Sequence, residues 1–351
     1  MTAQKSASAG NFFEDFHAGQ ILHHAPARTL TQGDQAVYTA LFGARFAPQC
    51  SAEFARKLGF ATAPLDDLLV FHTIFGKTVP EVSLNAIANL GYADCRFLAP
   101  VFPGDTLSAR TEVLGARENT NRESGIVYVR STGTNQHGAP VLTFVRWVMV
   151  RKRASENEVA GPQVPTLPKA VAPGALNIFP PKAFDTQNRN QSGGPRFFDD
   201  FRQGERIDHA DGVTVEESEH MMATRLYHNT ARVHFNAHTE RQGRFGRRIV
   251  YGGHVMSVAR ALSFNGLENA YFIAGINAGR HIAPCFAGDT IYAWSEIVDK
   301  AHGTKDWGLL RLRTLAAKDR SCADFPDKSA DGTADPSIIL ELDYWVLIPR
   351  V

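Results

Sequence analysis

YHNTARVHFNAHTERQGRFGRRIVYGGHVMSVARALSF, residues 227–264, is the stretch from which the rest of the chain is read. It falls into three pieces. A polar turn carries His228, Asn229, Arg232, His234 and Asn236; a loop rich in glycine and arginine covers 243–248; Ile249-Val250-Tyr251 then leads into Gly252-Gly253. From there Val255, Met256, Val258, Ala259 and Leu262 fall at helical spacing with few polar positions between them. That pattern predicts a buried helix.

A buried helix that opens on glycines has a chemical use. Its first backbone N–H groups have no partner inside the helix, and glycine leaves no side chain to keep a ligand away from them. The helix dipole adds positive potential at the same end. A thioester oxygen that gains negative charge as an enolate is stabilised by such a site, so Gly252 and Gly253 are expected to form an oxyanion hole. His234 lies far enough upstream to fold back over it as a proton carrier. Tyr251, directly before the glycines, is a candidate substrate contact.

The chain is written twice. Phe12-Phe13-Glu14-Asp15-Phe16 recurs as Phe197-Phe198-Asp199-Asp200-Phe201, 185 residues on. RFLAPVFPGDTL, residues 96–107, recurs as RHIAPCFAGDTI, residues 280–291, and FVRWVMV, residues 144–150, as LDYWVLI, residues 342–348. Three matches in one order indicate duplication, and two copies make a pseudo-dimer rather than a solenoid. Seven of the 18 prolines fall between the copies, which suits an extended crossing linker. The expected division is 1–153, a linker at 154–196, and 197–351.

Each copy has the same coarse layout. A short strand (21–28; 206–213) precedes a polar helix (35–42; 217–226), and an irregular stretch leads to an apolar helix (68–75; 253–264). Strands follow at 93–98, 106–114, 126–133 and 141–151, with equivalents in the second copy. The insertion at 318–337, rich in Asp, Ser and Gly, reads as a surface loop. One long buried helix wrapped by an antiparallel sheet, twice over, is an α+β arrangement.

Composition excludes several classes of partner. Of the 351 residues, Lys and Arg number 37 against 36 Asp and Glu, and 44% are hydrophobic. So balanced a charge argues against general nucleic-acid or membrane-surface binding. Cys50, Cys95, Cys285 and Cys322 are scattered without a CxxC pair, so neither a zinc site nor a disulfide framework is expected. The opening MTAQKSASAG has no apolar core of a signal peptide, and no run is long enough to span a bilayer. A cytoplasmic protein is expected.

The 227–264 stretch resembles the MaoC-like (R-specific) enoyl-CoA hydratases, whose motif runs roughly G-D-x-N-P-x-H, then a glycine-phenylalanine loop, then the central helix of a hotdog fold. His234 matches the family's catalytic histidine, Phe245-Gly246 its loop, and Gly252 the glycine at the helix start. Asn229 stands where the family has an aspartate, and Ala231 and Arg232 replace its asparagine and proline. The resemblance implies two fused hotdog domains. Longer runs resemble the two-copy mesaconyl-CoA hydratases: LLVFHTIFGKTVP (68–80), SLNAIANLGYA (83–93), RWVMVRKR (146–153), ATRLYHNTARVHFN (223–236) and FAGDTIYAWSEI (286–297). That likeness implies reversible loss of water from a 3-methylmalyl thioester, a step of acetyl-CoA or glyoxylate assimilation. It implies no metal or redox cofactor; CoA belongs to the substrate.

Read against each other, the copies predict one active site. His234 falls on Gln49, Asn229 on Ala44, Gly252 on Asp67 and Gly253 on Leu68. Gln49 does not titrate, and a carboxylate at position 67 repels an oxyanion. In the second copy, catalysis is expected from His234 with Asn229, Gly252 and Gly253; Asn229 takes no proton but can hold water. Glu240 and Glu219 are the alternative proton carriers. A dicarboxylic substrate needs a cation for its second carboxylate, and arginine binds carboxylates bidentately. Arg232 is expected to serve, with Arg247 and Arg248 beside the loop. A hydratase of plain enoyl-CoA, a hotdog thioesterase and a non-catalytic acyl-CoA-binding module remain alternatives. A homodimer or higher homo-oligomer is expected.

Overall fold

The protein is described here by a computed structural model covering residues 10–157, 161–329 and 331–351. The opening nine residues, part of the linker at 158–160 and Ala330 of the insertion lie outside the described residues.

The duplication is visible in the element order. The first half runs β1 (Ile21–Thr29), α1 (Gln32–Phe42), the short α2 (Ala47–Cys50) and α3 (Ala52–Lys57), α4 (Asp67–Thr78), then β2 (Ala86–Phe97), β3 (Thr106–Glu118), β4 (Ser124–Thr134) and β5 (Pro140–Arg151). The second runs β6 (Arg206–Thr214), α5 (Glu217–Leu226), the short α6 (Ala237–Glu240), α7 (Gly252–Leu262), then β7 (Phe272–His281), β8 (Thr290–His302), β9 (Trp307–Lys318) and β10 (Ile338–Pro349). The long helices are α4 and α7, apolar nearly all round, and both are buried along almost their whole length. Burial of each leucine or phenylalanine in them contributes roughly 1.5–3 kcal/mol.

All ten strands form one antiparallel sheet in the order β1-β3-β4-β5-β2-β7-β10-β9-β8-β6. The two halves therefore join edge to edge through β2 and β7, where Tyr92 pairs with Gly279 and Arg96 with Gly275. Period-two alternation decides which side chains meet the helices. Along β10, Leu340, Leu342, Tyr344, Val346 and Ile348 pack with α4 and α7 in one core, while Trp345 and Leu347 point to the opposite face. Residues 161–196 cover that second face: Val171, Leu176 and Phe184 pack there, Val171 N–H donates to Asn277 Oδ1 at 2.8 Å, and Trp345 Nε1 donates to Val171 O at 3.1 Å.

Strand β2 begins at Ala86, not at 93, because its pairing with β5 shifts register three times between Ala86 and Arg96 and breaks the alternation that marks a strand. The insertion is a surface loop tied down at two points: Trp294 Nε1 donates to Pro326 O at 2.9 Å, and Arg313 pairs with Asp327 at 2.7 Å. No helix among the described residues is long and apolar enough to cross a membrane.

Candidate active site

Helix α5 ends at Leu226, and the chain reverses through His228, which takes the left-handed conformation at φ 52°. Asn229 then closes an Asx turn: its Oδ1 accepts the Ala231 N–H at 2.9 Å, while its own N–H donates to Thr224 O at 3.1 Å. One 3-10 turn, Arg232–His234, follows. The whole reversal rests on helix α4 of the other half. A Cβ at Gly76 would stand 2.0 Å from Tyr227 O, so only glycine allows this approach.

The turn delivers His234 with its ring fixed. His234 Nδ1 lies 3.1 Å from Ile249 O. A carbonyl oxygen only accepts, so Nδ1 carries the proton and Nε2 keeps its lone pair. Burial pushes the imidazole pKa down to about 4, against the pull of the Ile249 carbonyl and with help from the nearby His220. The ring is thus neutral at pH 7, with a basic nitrogen available.

Helix α7 presents an open N-terminus. Tyr251, its cap, offers no side-chain acceptor, and no acidic residue sits in the first turn. The N–H of His254 donates to Tyr251 O at 2.8 Å, but among the described residues no acceptor takes the N–H of Gly252 or Gly253. The two glycines differ in their surroundings. Gly252 lines a cavity of about 350 Å³. Gly253 does not; a Cβ there would stand 2.3 Å from Tyr251 Cε1 and 2.5 Å from His72 Cε1, so its missing side chain makes room for those rings.

The cavity is built from both halves. Phe75, Ser83, Tyr92 and Arg146 come from the first, and Asn229, His234, Tyr251, Gly252 and His281 from the second. Tyr251 hydroxyl lies 3.3 Å from His72 Nδ1, and its ring centroid is 5.5 Å from that of His234. Among the described residues, no aspartate or glutamate lines the cavity, and neither Glu219 nor Glu240 reaches it.

Three lining residues were not picked out from the sequence: His281, Tyr92 and Arg146. His281 Nε2 lies 3.3 Å from the Tyr92 hydroxyl, and burial lowers the ring's pKa to about 4. The signal was available in the repeats, where RHIAP carries His281 opposite Phe97 of RFLAP, and LDYWVLI carries Tyr344 opposite Arg146 of FVRWVMV. A titratable group facing an apolar or neutral one is the same asymmetry that singled out His234.

The arginines expected to meet a second carboxylate lie elsewhere, which corrects that expectation. Arg232 is exposed and does not line the cavity. Arg247 stacks on the Phe286 ring at 3.8 Å, and Arg248 pairs with Glu217 and donates to Phe235 O. Sequence proximity to His234 misled here because a 3-10 turn points neighbouring side chains in different directions.

The corresponding place in the first half is closed. Asp66 caps α4 by accepting Leu68 N–H at 2.9 Å, and Asp67 Oδ2 accepts Ile273 N–H at 2.7 Å. Gln49, opposite His234, donates to Tyr271 O at 3.1 Å. Phe60 packs edge-on to Phe272, with centroids 5.8 Å apart.

Residues 2–171 match a family model described as mesaconyl-CoA hydratase, and residues 200–310 match the MaoC-like domain. The chain is 57% identical to a β-methylmalyl-CoA dehydratase of Chloroflexus aurantiacus, over 97% of each chain. It is 53% identical to a mesaconyl-CoA hydratase of Cereibacter sphaeroides, over 98% of this chain and 99% of that one. A solved structure of a MaoC-domain dehydratase from Chloroflexus aurantiacus superposes with TM-score 0.96 at 56% identity, covering 99% of this chain and all of that one. A conserved protein of Mycobacterium tuberculosis described as a double hotdog superposes with TM-score 0.74 at 25% identity, over 97% and 99% of the chains. The fold is thus a double hotdog, and the chain belongs to the mesaconyl-CoA hydratase family of MaoC-like hydro-lyases.

Proposed function

We propose that the second-half site interconverts β-methylmalyl-CoA and mesaconyl-CoA by removing and adding water. The observation that carries this reading is the meeting, on one cavity, of the His234 Nε2 lone pair and the unmet Gly252 amide. The names of the two relatives, identical at more than half of all positions, supply the substrate.

The chemistry follows from those two groups. The substrate is an α-methyl, β-hydroxy thioester with a free carboxylate on the β-carbon. Its thioester oxygen accepts the Gly252 N–H, and the α7 dipole stabilises the charge that builds there. His234 Nε2 removes the α-proton, giving an enolate. The electron pair returns to form the α–β double bond as the β-hydroxyl leaves, and the His234 imidazolium supplies its proton, so water departs and the neutral ring is restored. With no carboxylate among the described residues on the cavity, His234 makes both transfers in this reading. Asn229, whose Oδ1 is taken by Ala231 N–H, offers its Nδ2 to hold the departing or arriving water.

Absorbance of the conjugated thioester, followed while mesaconyl-CoA is mixed with pure protein, tests the reading. Hydration bleaches it without releasing thiol. Release of free CoA thiol means a thioesterase instead, and an unchanged trace means binding only. His234→Ala is expected to lower kcat by ~10²–10⁴; a change under about threefold removes His234 from the acid–base role.

A further inference from the structure

Arg146 is a buried cation with no anion. It lies on β5 of the first half, fully inaccessible to bulk solvent, and is one of the residues around the cavity that holds His234 and Gly252. Its partners are all neutral: Nη2 donates to Thr78 Oγ1 at 2.8 Å and to Ser83 Oγ at 3.3 Å, Nη1 reaches Asn89 Oδ1 at 3.5 Å, and the guanidinium stands 4.3 Å over the Phe75 ring. Nε is buried without a partner, and among the described residues no carboxylate pairs with the group. A guanidinium taken out of water and left unpaired is costly. A ligand carboxylate would bring the missing charge. Burial lowers its pKa to about 10, so it is still charged at neutral pH.

We propose that Arg146 is the specificity-determining residue of the site, binding the free carboxylate of a dicarboxylic acyl-CoA. The proposal rests on the hydratase reading for the reaction, but not for the binding. A thioester whose carbonyl sits at Gly252 and whose chain runs along the cavity meets Arg146 from the other half of the molecule, with Tyr251 beside both. Pairing there also offsets the negative charge next to the β-carbon, which otherwise repels the oxygen nucleophile in the hydration direction. Arg244, the other Lys or Arg among the described residues on the lining, is exposed, so water already solvates it. The second half carries Tyr344 at the matching position, so this cation belongs to one site only.

Arg146→Gln keeps hydrogen-bond donors for Thr78 and Ser83 and removes the charge. Its kcat/KM for mesaconyl-CoA is expected to fall about 100-fold or more, while that for crotonyl-CoA, which ends in a methyl group, stays within about threefold. Equal losses on both, or no loss on either, overturn the proposal. If Arg146→Gln does not fold, Arg146→Lys, which keeps the charge, takes its place: it is expected to lose activity on mesaconyl-CoA but not on crotonyl-CoA, because a point charge lacks the planar fork. Binding separates the two ideas. Wild-type protein should bind succinyl-CoA at least about tenfold more tightly than butyryl-CoA, and the variant should not discriminate. If no thioester is hydrated but this preference holds and is lost with Arg146, the reaction assigned above fails and the carboxylate site stands; no preference in the wild type sinks the carboxylate site whatever the turnover.

Discussion

The imidazole of His281 lies flat against the Cα of Gly252: a Cβ added there would stand 2.4 Å from His281 Cε1 and 2.6 Å from both ring nitrogens. The backbone at 252 is helical, so alanine suits its conformation and raises helix propensity by about 1 kcal/mol. The obstacle is entirely the ring. Gly252→Ala is therefore expected to fold, to displace His281, and to crowd the amide proposed to meet the substrate oxygen. Loss of one such donor costs ~10²–10³ in kcat. A variant with wild-type melting temperature and full kcat would show that Gly252 serves packing alone.

Gly76 sits in the first half, yet the turn that carries Asn229 and His234 in the second half rests on it. With a Cβ at 76 only 2.0 Å from Tyr227 O, and 3.3 Å from Asn229 N, a methyl group has to push the 227–234 reversal away. Gly76→Ala is expected to cost about 1–3 kcal/mol by overpacking and to lower kcat through the displaced Asn229 and His234. Thermal melting and kinetics on one preparation check both effects. Stability lost with kcat unchanged would mean that the turn moves as a rigid unit without disturbing the site.

Acid sensitivity follows from the histidines. Burial holds His72, His209, His234, His254 and His281 neutral, with pKa values of about 3, 4, 4, 3 and 4. In the unfolded chain each returns to about 6.5. Below that pH, unfolding takes up protons, so the stabilisation is complete above about 6.5 and is lost as pH falls toward 4, by up to ~1.4 kcal/mol per pH unit for each ring. Asp66 and Asp67, whose pKa values burial raises, act in the opposite sense, but two carboxyls do not offset five histidines. The melting temperature is expected to drop steadily between pH 7 and pH 5, before His234 itself titrates. A flat profile over that range would mean the rings are protonated in the folded protein.

Much of the architecture was legible from residue order alone. The repeated FFxDF, RxxAPxFxGD and W-V motifs showed two copies, and the apolar runs after Asp67 and Gly252 marked the two long helices. These features are local: spacing along one chain determines which face of a helix or strand is apolar. The same locality made His234, Asn229 and Gly252 visible, since they lie within one short stretch. It failed for β2, whose bulges break the alternation, and for Arg232, which is two residues from His234 in the chain but faces solvent.

What the sequence by itself determined is the duplication and the element order, because each depends on residue type at fixed spacing. Tertiary structure alone decided the composition of the cavity. Joining β2 to β7 edge to edge brings Tyr92 and Arg146 of one half against His234, Gly252 and His281 of the other. No spacing rule links a strand near residue 146 to a turn near residue 234; only the closing of a shared sheet over two helices puts a charge from one copy on the same cavity as a base from the other.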